Sequence, residues 1–506
     1  MRRGFATILT LGILGSFLLV TVLGVMVYFD AVSLPVAVAV VVLINLGMLL
    51  VGPRVNDFIY RWLYDMEWVT VEEFRERSPA SVAVVEEVTA EYGYDAPKLG
   101  VIPDRNPTAF TYGSARYNAR IVVTEGCFEF LDDDELAAVV GHELGHVTSR
   151  DFIVMTVANT IVEVLYLVAV YSMRIAQSGR ASNNQRGNAL SALAVVGVVA
   201  YIGWFVGQYA VLYLSRVREY AADAFGADYT DPDDLSMALV KVALGIVTTE
   251  DSPELAKATR NIGIMGFDES RDKGLVYHNA RERDEMDLVL RALQFDVVSP
   301  WAHLLEINST HPLTGKRVRR LSERASAKRG TSRFDFAEME SKFPVDRRRL
   351  YYEFGRDLAV MAFPAALAIG FPLGYLAAVE TDVTTFSWFV LAGGWLVAFG
   401  VALLVRAWYK YRPGEAEDAT VIDLLGDVYA SPVDGTRARL DGELIGRGQA
   451  GYRFSEDLMF RDETGLMYIN YSSWFPLLGN LLFSVRQVPK LVGERVTVQG
   501  WYFRST

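Results

Sequence analysis

The chain has 506 residues, 51% hydrophobic and 22% charged, a balance that excludes intrinsic disorder and is unusual for a wholly soluble protein. Its single cysteine, Cys127, excludes disulfide scaffolds, zinc fingers and iron–sulfur clusters, so any metal must be held by histidine and carboxylate side chains. The net charge of -12 argues against a nucleic-acid partner, and the preference for arginine over lysine indicates a prokaryotic source.

Six long apolar segments predict membrane spans, because a bilayer core about 30 Å thick needs roughly 20 apolar residues in a helix. The first follows Arg2 and Arg3 but has no small-residue cleavage site, which favours a membrane anchor over a signal peptide. The third contains Glu163, expected to be a buried helix-packing or gating residue. The six segments are residues 5–29, 31–52, 152–173, 189–214, 358–379 and 384–405.

Arginine and lysine residues flank the spans on one side if every span crosses the bilayer. The positive-inside rule therefore predicts a multi-pass protein of the plasma membrane with both termini and the three polar blocks in the cytoplasm. The loop with Arg174, Arg180 and Arg186 breaks this rule. A re-entrant hairpin at residues 152–214 would remove the conflict.

The first polar block predicts a mainly helical domain with a small sheet. Residues 78–92 have a helical pattern with Pro79 in the first turn, and three short runs at residues 99–102, 109–113 and 119–124 predict strands. Residues 133–148 follow a run of acids, which suits the N-terminus of a helix.

That last helix carries His142 and His146, which lie four residues apart and can present two ring nitrogens to one zinc ion. Glu143 stands between them, where a carboxylate can reach a water molecule at the metal. The chain has only five histidines, so this spacing favours a metal site over the alternative, a coincidental pair on an amphipathic helix.

A third ligand is expected in the segment after the fourth span. Glu219 and Asp223 lie on one helical face among alanines that permit close packing against the His142 helix. Glu219 can ligate the metal, and Asp223 can accept the remaining N–H of a ligating histidine. The alternative is an exposed acidic pair balanced by Arg216 and Arg218, which are expected to make ion pairs with acids or lipid head groups.

Four motifs in this order resemble the HtpX-like and CAAX-prenyl-protease family of integral-membrane zinc metalloproteases: NPTAF at residues 106–110, HELGH at 142–146, SRVREYAAD at 215–223 and STHP at 309–312. The resemblance implies a gluzincin-type domain that holds one zinc ion with His142, His146 and Glu219 and uses Glu143 as the catalytic base. It also implies that Asn106 and Ala109 lie on a strand that lines the substrate cleft. His311 is implied to lie near the reacting carbonyl. The resemblance does not cover the last two spans or the C-terminal region after them. His278 and His303 are assigned to structure or solvent.

The chemistry expected is peptide-bond hydrolysis at a metal, with Glu143 accepting and then donating the proton. An edge strand at residues 109–113 could bind an extended polypeptide by strand addition, so unfolded or membrane proteins are the expected substrates. The sequence does not predict the oligomeric state.

Residues 427–506 contain short alternating runs with a turn at residues 462–465, which resembles a small all-β, OB-like barrel. Its excess of acids favours a protein partner or a structural cap over nucleic acid. Three membrane hairpins are expected, at residues 1–52, 152–214 and 358–405. The catalytic domain is expected in two parts, a first part at residues 53–151 and a second part at 215–357. A linker at residues 406–426 is expected to lead to the β-rich domain at 427–506.

The favoured hypothesis is a membrane zinc endopeptidase that cleaves misfolded or damaged membrane proteins at the cytoplasmic face, in membrane protein quality control. The alternative is a catalytically idle membrane scaffold with a structural zinc site and a partner-recruiting C-terminal domain. Cleavage within the membrane is disfavoured because charged residues 132–135 and Arg150 flank the HELGH motif.

Overall fold

The computed structural model describes residues 34–178, 184–248, 286–379, 387–447, 457–473 and 475–504. The span expected at residues 5–29 and His278 lie outside the described residues. The described residues divide into two compact units, one of those up to residue 248 together with 306–334 and one of those at 286–305 together with 335–504.

In chain order, the elements up to the first long gap are α1 (Leu34–Tyr64), β1 (Glu67–Val69), α2 (Val71–Arg77), α3 (Pro79–Tyr92), β2 (Lys98–Ile102), β3 (Ala109–Gly113), β4 (Ala119–Thr124), α4 (Glu125–Phe130), α5 (Asp133–Thr148), α6 (Asp151–Ser178), α7 (Asn184–Tyr229) and α8 (Pro232–Thr248). After the gap come α9 (Met286–Val298), α10 (Pro300–Glu306) and α11 (Thr314–Arg329). The predicted strands and the helices at residues 78–92 and 133–148 are confirmed.

The first unit contains a four-stranded sheet in the order β1-β2-β4-β3. Strand β2 runs parallel to β4, whereas β3 pairs with β4 in antiparallel register, with Phe110 opposite Val122. Strand β3 is therefore an edge strand. Its residues Phe110 and Tyr112 pack with Tyr60 of α1, which ties the sheet to an apolar helix.

Helices α5 and α7 pack closely because small residues face each other. A side chain added at Gly145 would place its Cβ 3.0 Å from the Cα of Ala222, and one added at Gly226 would place its Cβ 2.9 Å from the backbone nitrogen of His142. A Cβ at Gly226 would therefore force the two helices apart, and one at Gly145 would require the neighbouring helix to shift by a few tenths of an ångström. The close packing expected from the alanines around Asp223 is present.

Five described helices are long and apolar enough to cross a membrane, at Pro35–Tyr64, Asp151–Gln177, Leu193–Tyr229, Arg347–Val379 and Trp388–Lys410. Together with the mainly helical fold, they make this a multi-pass membrane protein. Glu163 on α6 accepts a hydrogen bond from Asn45 of α1 at 2.6 Å, so it joins two spans. Its side chain is exposed, so the expectation that it is buried was wrong.

The second unit includes α9 and, later in the chain, α12 (Phe336–Lys342), α13 (Arg347–Val379), α14 (Trp388–Lys410), β5 (Glu417–Asp418), α15 (Val421–Leu425), β6 (Thr436–Arg447), β7 (Leu458–Arg461), β8 (Leu466–Ile469), α16 (Pro476–Arg486), α17 (Val488–Leu491) and β9 (Arg495–Tyr502). Helices α13 and α14 are the last two candidate spans.

Strands β5 to β9 form one sheet, in which the long strand β6 pairs with β5, β7 and β9. The hairpin expected at residues 462–465 joins β7 to β8. Residues 417–425, expected to be linker, instead form β5 and α15, and Val421 and Leu425 share a buried core with Phe460 and with Ala292 of α9. The sheet, the flanking helices and α9 are thus one folded body, whereas a closed OB-like barrel stays a prediction.

Candidate metal centre and active site

Helix α5 presents His142 and His146 to one side. Its N-terminus is closed by a capping box, in which the Asp132 side chain accepts from the backbone of Glu135 and the Glu135 side chain accepts from the backbone of Asp132. The ring Nε2 atoms of the two histidines lie 3.2 Å apart, as expected for residues one helical turn apart that face the same point.

Glu219 of α7 completes the cluster. Its Oε2 lies 3.7 Å from His142 Nε2, and its Oε1 lies 3.5 Å from His146 Nε2. One ligand atom from each of the three side chains can be chosen so that all lie within 4.8 Å of one another. The spacing of residues along α5 and α7 therefore brings together the three ligands implied by the family resemblance.

The other ring nitrogen of His142 faces a buried ion pair. Its Nδ1 lies 3.0 Å from Asp223 Oδ1. Arg317 of α11, only 2% exposed, donates to both carboxylate oxygens of Asp223, from Nε at 2.8 Å and from Nη2 at 2.6 Å. Asp223 therefore lies where the sequence predicted it, whereas Arg317 was not foreseen.

The other ring nitrogen of His146 also faces an aspartate. Its Nδ1 donates to Asp151 Oδ2 at 2.7 Å, and Arg218 makes an ion pair with Asp151 Oδ1. Asp151 comes close because Arg150 adopts a left-handed backbone conformation, with φ of 59°, which interrupts the helical conformation between α5 and α6. The ion pair expected for Arg218 is confirmed, although its partner was not predicted.

Glu143 is buried at 1% exposure beside the two histidines. Burial raises the pKa of its carboxyl above the ordinary value, and the neighbouring His142 and His146 rings reduce that rise. Its Oε2 has no hydrogen-bond partner among the described residues. A carboxylate oxygen is therefore available next to the cluster without being one of its three ligands.

The STHP segment brings a further imidazole to the site. His311 is 4% exposed, and its Nε2 lies 3.7 Å from Glu219 Oε1. Arg216 of α7 holds the preceding loop by donating from Nη1 to the carbonyl oxygens of Glu306, Ile307 and Ser309, at 2.9, 3.2 and 2.7 Å. Arg216 therefore anchors the loop that carries His311 through carbonyl contacts, whereas an ion pair with lipid head groups stays a prediction.

The remaining predicted residues are not part of the three-residue cluster. Ala109 is the first residue of β3, but Asn106 lies in the preceding loop, where its side-chain amide donates to Asp104 at 2.9 Å, so Asn106 is not on the strand as expected. In the second unit, His303 is exposed, and its Nδ1 lies 2.7 Å from the carbonyl oxygen of Ser299.

The donor set fits a zinc ion. Two imidazoles and one carboxylate from three different turns of helix are a ligand set of catalytic zinc sites that leaves a coordination position open. Glu219 Oε2 is buried and has no hydrogen-bond partner among the described residues, which an ion at the cluster would provide. The His146 side chain is 17% exposed, so the site is reachable from solvent.

Comparison with known proteins agrees with this geometry. The model of peptidase family M48 matches residues 77–325, which include every side chain of the cluster. Similar proteins include three named "Protease HtpX homolog". That of Methanothermobacter thermautotrophicus is 27% identical over 266 residues, 52% of this chain and 93% of the relative. That of Aeropyrum pernix is 30% identical over 294 residues, which are 56% of this chain and 85% of the relative. That of Pyrobaculum calidifontis is 32% identical over 248 residues, which are 48% of this chain and 68% of the relative.

The family match begins at residue 77 and ends at residue 325, before the last two spans and the C-terminal sheet. An identity of 30% over most of a relative's length, joined to a His-His-Glu cluster on packed helices, is sufficient to assign the family. The chain belongs to peptidase family M48 and is an HtpX-like membrane metallopeptidase.

Proposed function

We propose that this protein is a zinc-dependent endopeptidase that cleaves misfolded or damaged membrane proteins at the cytoplasmic face of the plasma membrane. The observation that carries the proposal is the convergence of His142, His146 and Glu219 with a buried, unbonded oxygen of Glu143 beside them. A purely structural zinc site would have no use for that carboxylate.

Each side chain has a distinct role in this proposal. His142, His146 and Glu219 hold one zinc ion, which when bound acts as a Lewis acid that polarises a peptide carbonyl and acidifies water. Glu143 accepts the proton from that water and passes it to the leaving amine. Its burial at 1% exposure holds the carboxylate beside the cluster and shields it from bulk solvent.

His311 supports the charge that develops during the reaction. Its ring lies next to Glu219, and its loop is fixed by three hydrogen bonds from Arg216. A donor held in place before the reaction stabilises a developing oxyanion without a cost of reorganisation. We therefore assign His311 the role of hydrogen-bonding the reacting carbonyl oxygen or the substrate.

The substrate class is inferred from the edge strand. Strand β3 pairs with β4 along one side, so backbone groups on its other side can pair with an extended polypeptide. Ala109, at its start, is fully buried, and the backbone rather than a side-chain pocket supplies most of the recognition. Such binding requires an unfolded segment and favours broad sequence specificity.

The cytoplasmic orientation rests on the distribution of positive charge. Arg216, Arg218 and Arg150 lie at the same ends of α6 and α7 as the metal cluster, and by the positive-inside rule this charge supports a cytoplasmic location for the cluster. A protease fixed there meets membrane proteins whose cytoplasmic segments have unfolded. Surveillance of membrane proteins is the process that this location supports.

The test is digestion of β-casein by the full-length protein in detergent. We expect cleavage by the wild type, loss of cleavage with a chelator, recovery on adding zinc, and no cleavage by Glu143→Gln. An inactive wild type that contains zinc would instead support the idle membrane scaffold. Cleavage that persists in Glu143→Gln would show that the base is misassigned.

A further inference from the structure

The two ligating histidines have the same surroundings on the side away from the metal. His142 Nδ1 faces Asp223, which is paired with Arg317, and His146 Nδ1 faces Asp151, which is paired with Arg218. The contact between His142 and Asp223 was expected from helical spacing, whereas the participation of Arg317 was not. The contacts of Asp151 with His146 and Arg218 were not expected, because Asp151 belongs to a different helix from both.

We propose that Asp151, held by Arg218, is a positioning residue that fixes the ring of His146 for metal binding. This proposal rests on the zinc site of the proposed function. A neutral imidazole that offers Nε2 to a metal must keep its hydrogen on Nδ1. The Asp151 carboxylate, 2.7 Å from Nδ1, accepts that hydrogen and so selects both the tautomer and the ring orientation.

The backbone shows that Asp151 is placed there at a cost. Five residues after His146, an unbroken helix would point the Asp151 side chain away from the His146 ring, because positions i and i+5 do not share a face. The left-handed conformation of Arg150, with φ of 59°, is one that non-glycine residues rarely adopt and is strained for arginine. The break ends α5 and starts α6 at Asp151, which returns its carboxylate to the ring.

Arg218 gives Asp151 its second contact. It precedes Glu219 on α7, and it also donates from Nη2 to the carbonyl oxygen of Ser149 at 3.3 Å. One helix therefore supplies a metal ligand and, at the adjacent residue, the cation that neutralises the aspartate behind another ligand. Because the Asp151 side chain is only 11% exposed, this pair is shielded from solvent.

The two arginine–aspartate pairs also balance the charge of the site. Each aspartate would add a negative charge close to the metal, and each arginine cancels one. The aspartates can then accept hydrogen bonds from the rings while Glu219 remains the anionic ligand. This arrangement explains why both arginines reach into the site instead of extending into solvent.

The experiment measures zinc affinity of the full-length protein in detergent by competition with a chromophoric chelator, together with thermal unfolding of the metal-free protein. The variants are Asp151→Asn, Arg218→Met and the control Asp228→Asn. Asp228 lies on α7 and pairs with Arg324, but its side chain is 58% exposed and touches no ligand.

We expect Asp151→Asn to bind zinc about 10- to 100-fold more weakly, the range typical for partners of ligating histidines. Arg218→Met should weaken binding in the same direction, Asp151→Glu should recover part of the loss, and Asp228→Asn should match the wild type. The visible spectrum of the cobalt-substituted protein should change in Asp151→Asn but not in the control.

Wild-type zinc affinity in Asp151→Asn would overturn the proposal. So would a drop in the unfolding temperature of the metal-free protein with no change in zinc affinity, because the pair would then only close the turn between α5 and α6. A wild-type protein that binds no zinc at all would instead refute the proposed function, and the two failures are therefore distinguishable.

Discussion

Substituting Gly226 by alanine tests whether the contact between α5 and α7 builds the site. An added Cβ would lie 2.9 Å from the His142 nitrogen, 3.2 Å from its Cα and 3.3 Å from the Ala138 carbonyl oxygen. All three are backbone atoms, so no flexible side chain can move aside. Non-bonded heavy atoms prefer about 3.5 to 4.0 Å, so the helices must separate by roughly 0.5 to 1 Å.

Such a separation has two consequences. Overpacking of this kind costs about 1 to 3 kcal/mol of stability. Glu219 lies on the displaced helix and His142 on the other, so the ligands move apart, and a misplacement of about 1 Å in an active site can lower the rate about 100-fold. We therefore expect Gly226→Ala to lose most of its casein cleavage and to bind zinc more weakly.

The matched control is Gly203→Ala on the same helix. There the added Cβ would meet only the Leu165 methyl groups, at 3.7 and 3.8 Å, which is ordinary contact. Alanine is a better helix former than glycine by about 1 kcal/mol, so this variant should be neutral or stabilised. Equal activity and zinc affinity in Gly226→Ala and the wild type would refute the link between helix packing and site geometry.

Three further predictions concern single side chains. Asp223→Asn should weaken zinc binding about 10- to 100-fold, a smaller loss than that caused by Glu219→Gln, and metal titration of both variants checks the order. Arg317→Met should destabilise the metal-free protein by about 3 to 5 kcal/mol, because it leaves the Asp223 carboxylate buried without its bidentate partner, and denaturant unfolding measures this. Burial raises the pKa of the Cys127 thiol to about 11, so iodoacetamide at pH 8 should label it only after unfolding; rapid labelling of the native protein would contradict its burial.

The elements predicted from local pattern agree closely with the structure. The helix of His142 and His146 begins and ends where the acidic run and the motif place it, because its capping residues are adjacent in the sequence. The four-residue spacing of Glu219 and Asp223, together with the HELGH motif and the family resemblance, predicted that both side chains would face the histidine helix, as they do. These features depend on helical geometry, which a short stretch of sequence determines.

The contacts that could not be predicted join residues distant in the chain or separated by a break in a helix. Arg317 reaches Asp223 from 94 residues away, and a basic helix with several arginines gives no sign of which one is buried. Asp151 reaches His146 only because Arg150 leaves the helical conformation. The pairing of α9 with the C-terminal sheet likewise depends on tertiary packing, through Ala292 in the shared core.

The central claim is that His142, His146 and Glu219 hold the zinc ion while Glu143 acts on the substrate without binding the metal. It is tested most directly by zinc content per chain in Glu143→Gln and Glu219→Gln, purified side by side with the wild type. We expect nearly one zinc per chain in the wild type and in Glu143→Gln, and far less in Glu219→Gln. Loss of zinc from Glu143→Gln, or its full retention in Glu219→Gln, would contradict this assignment.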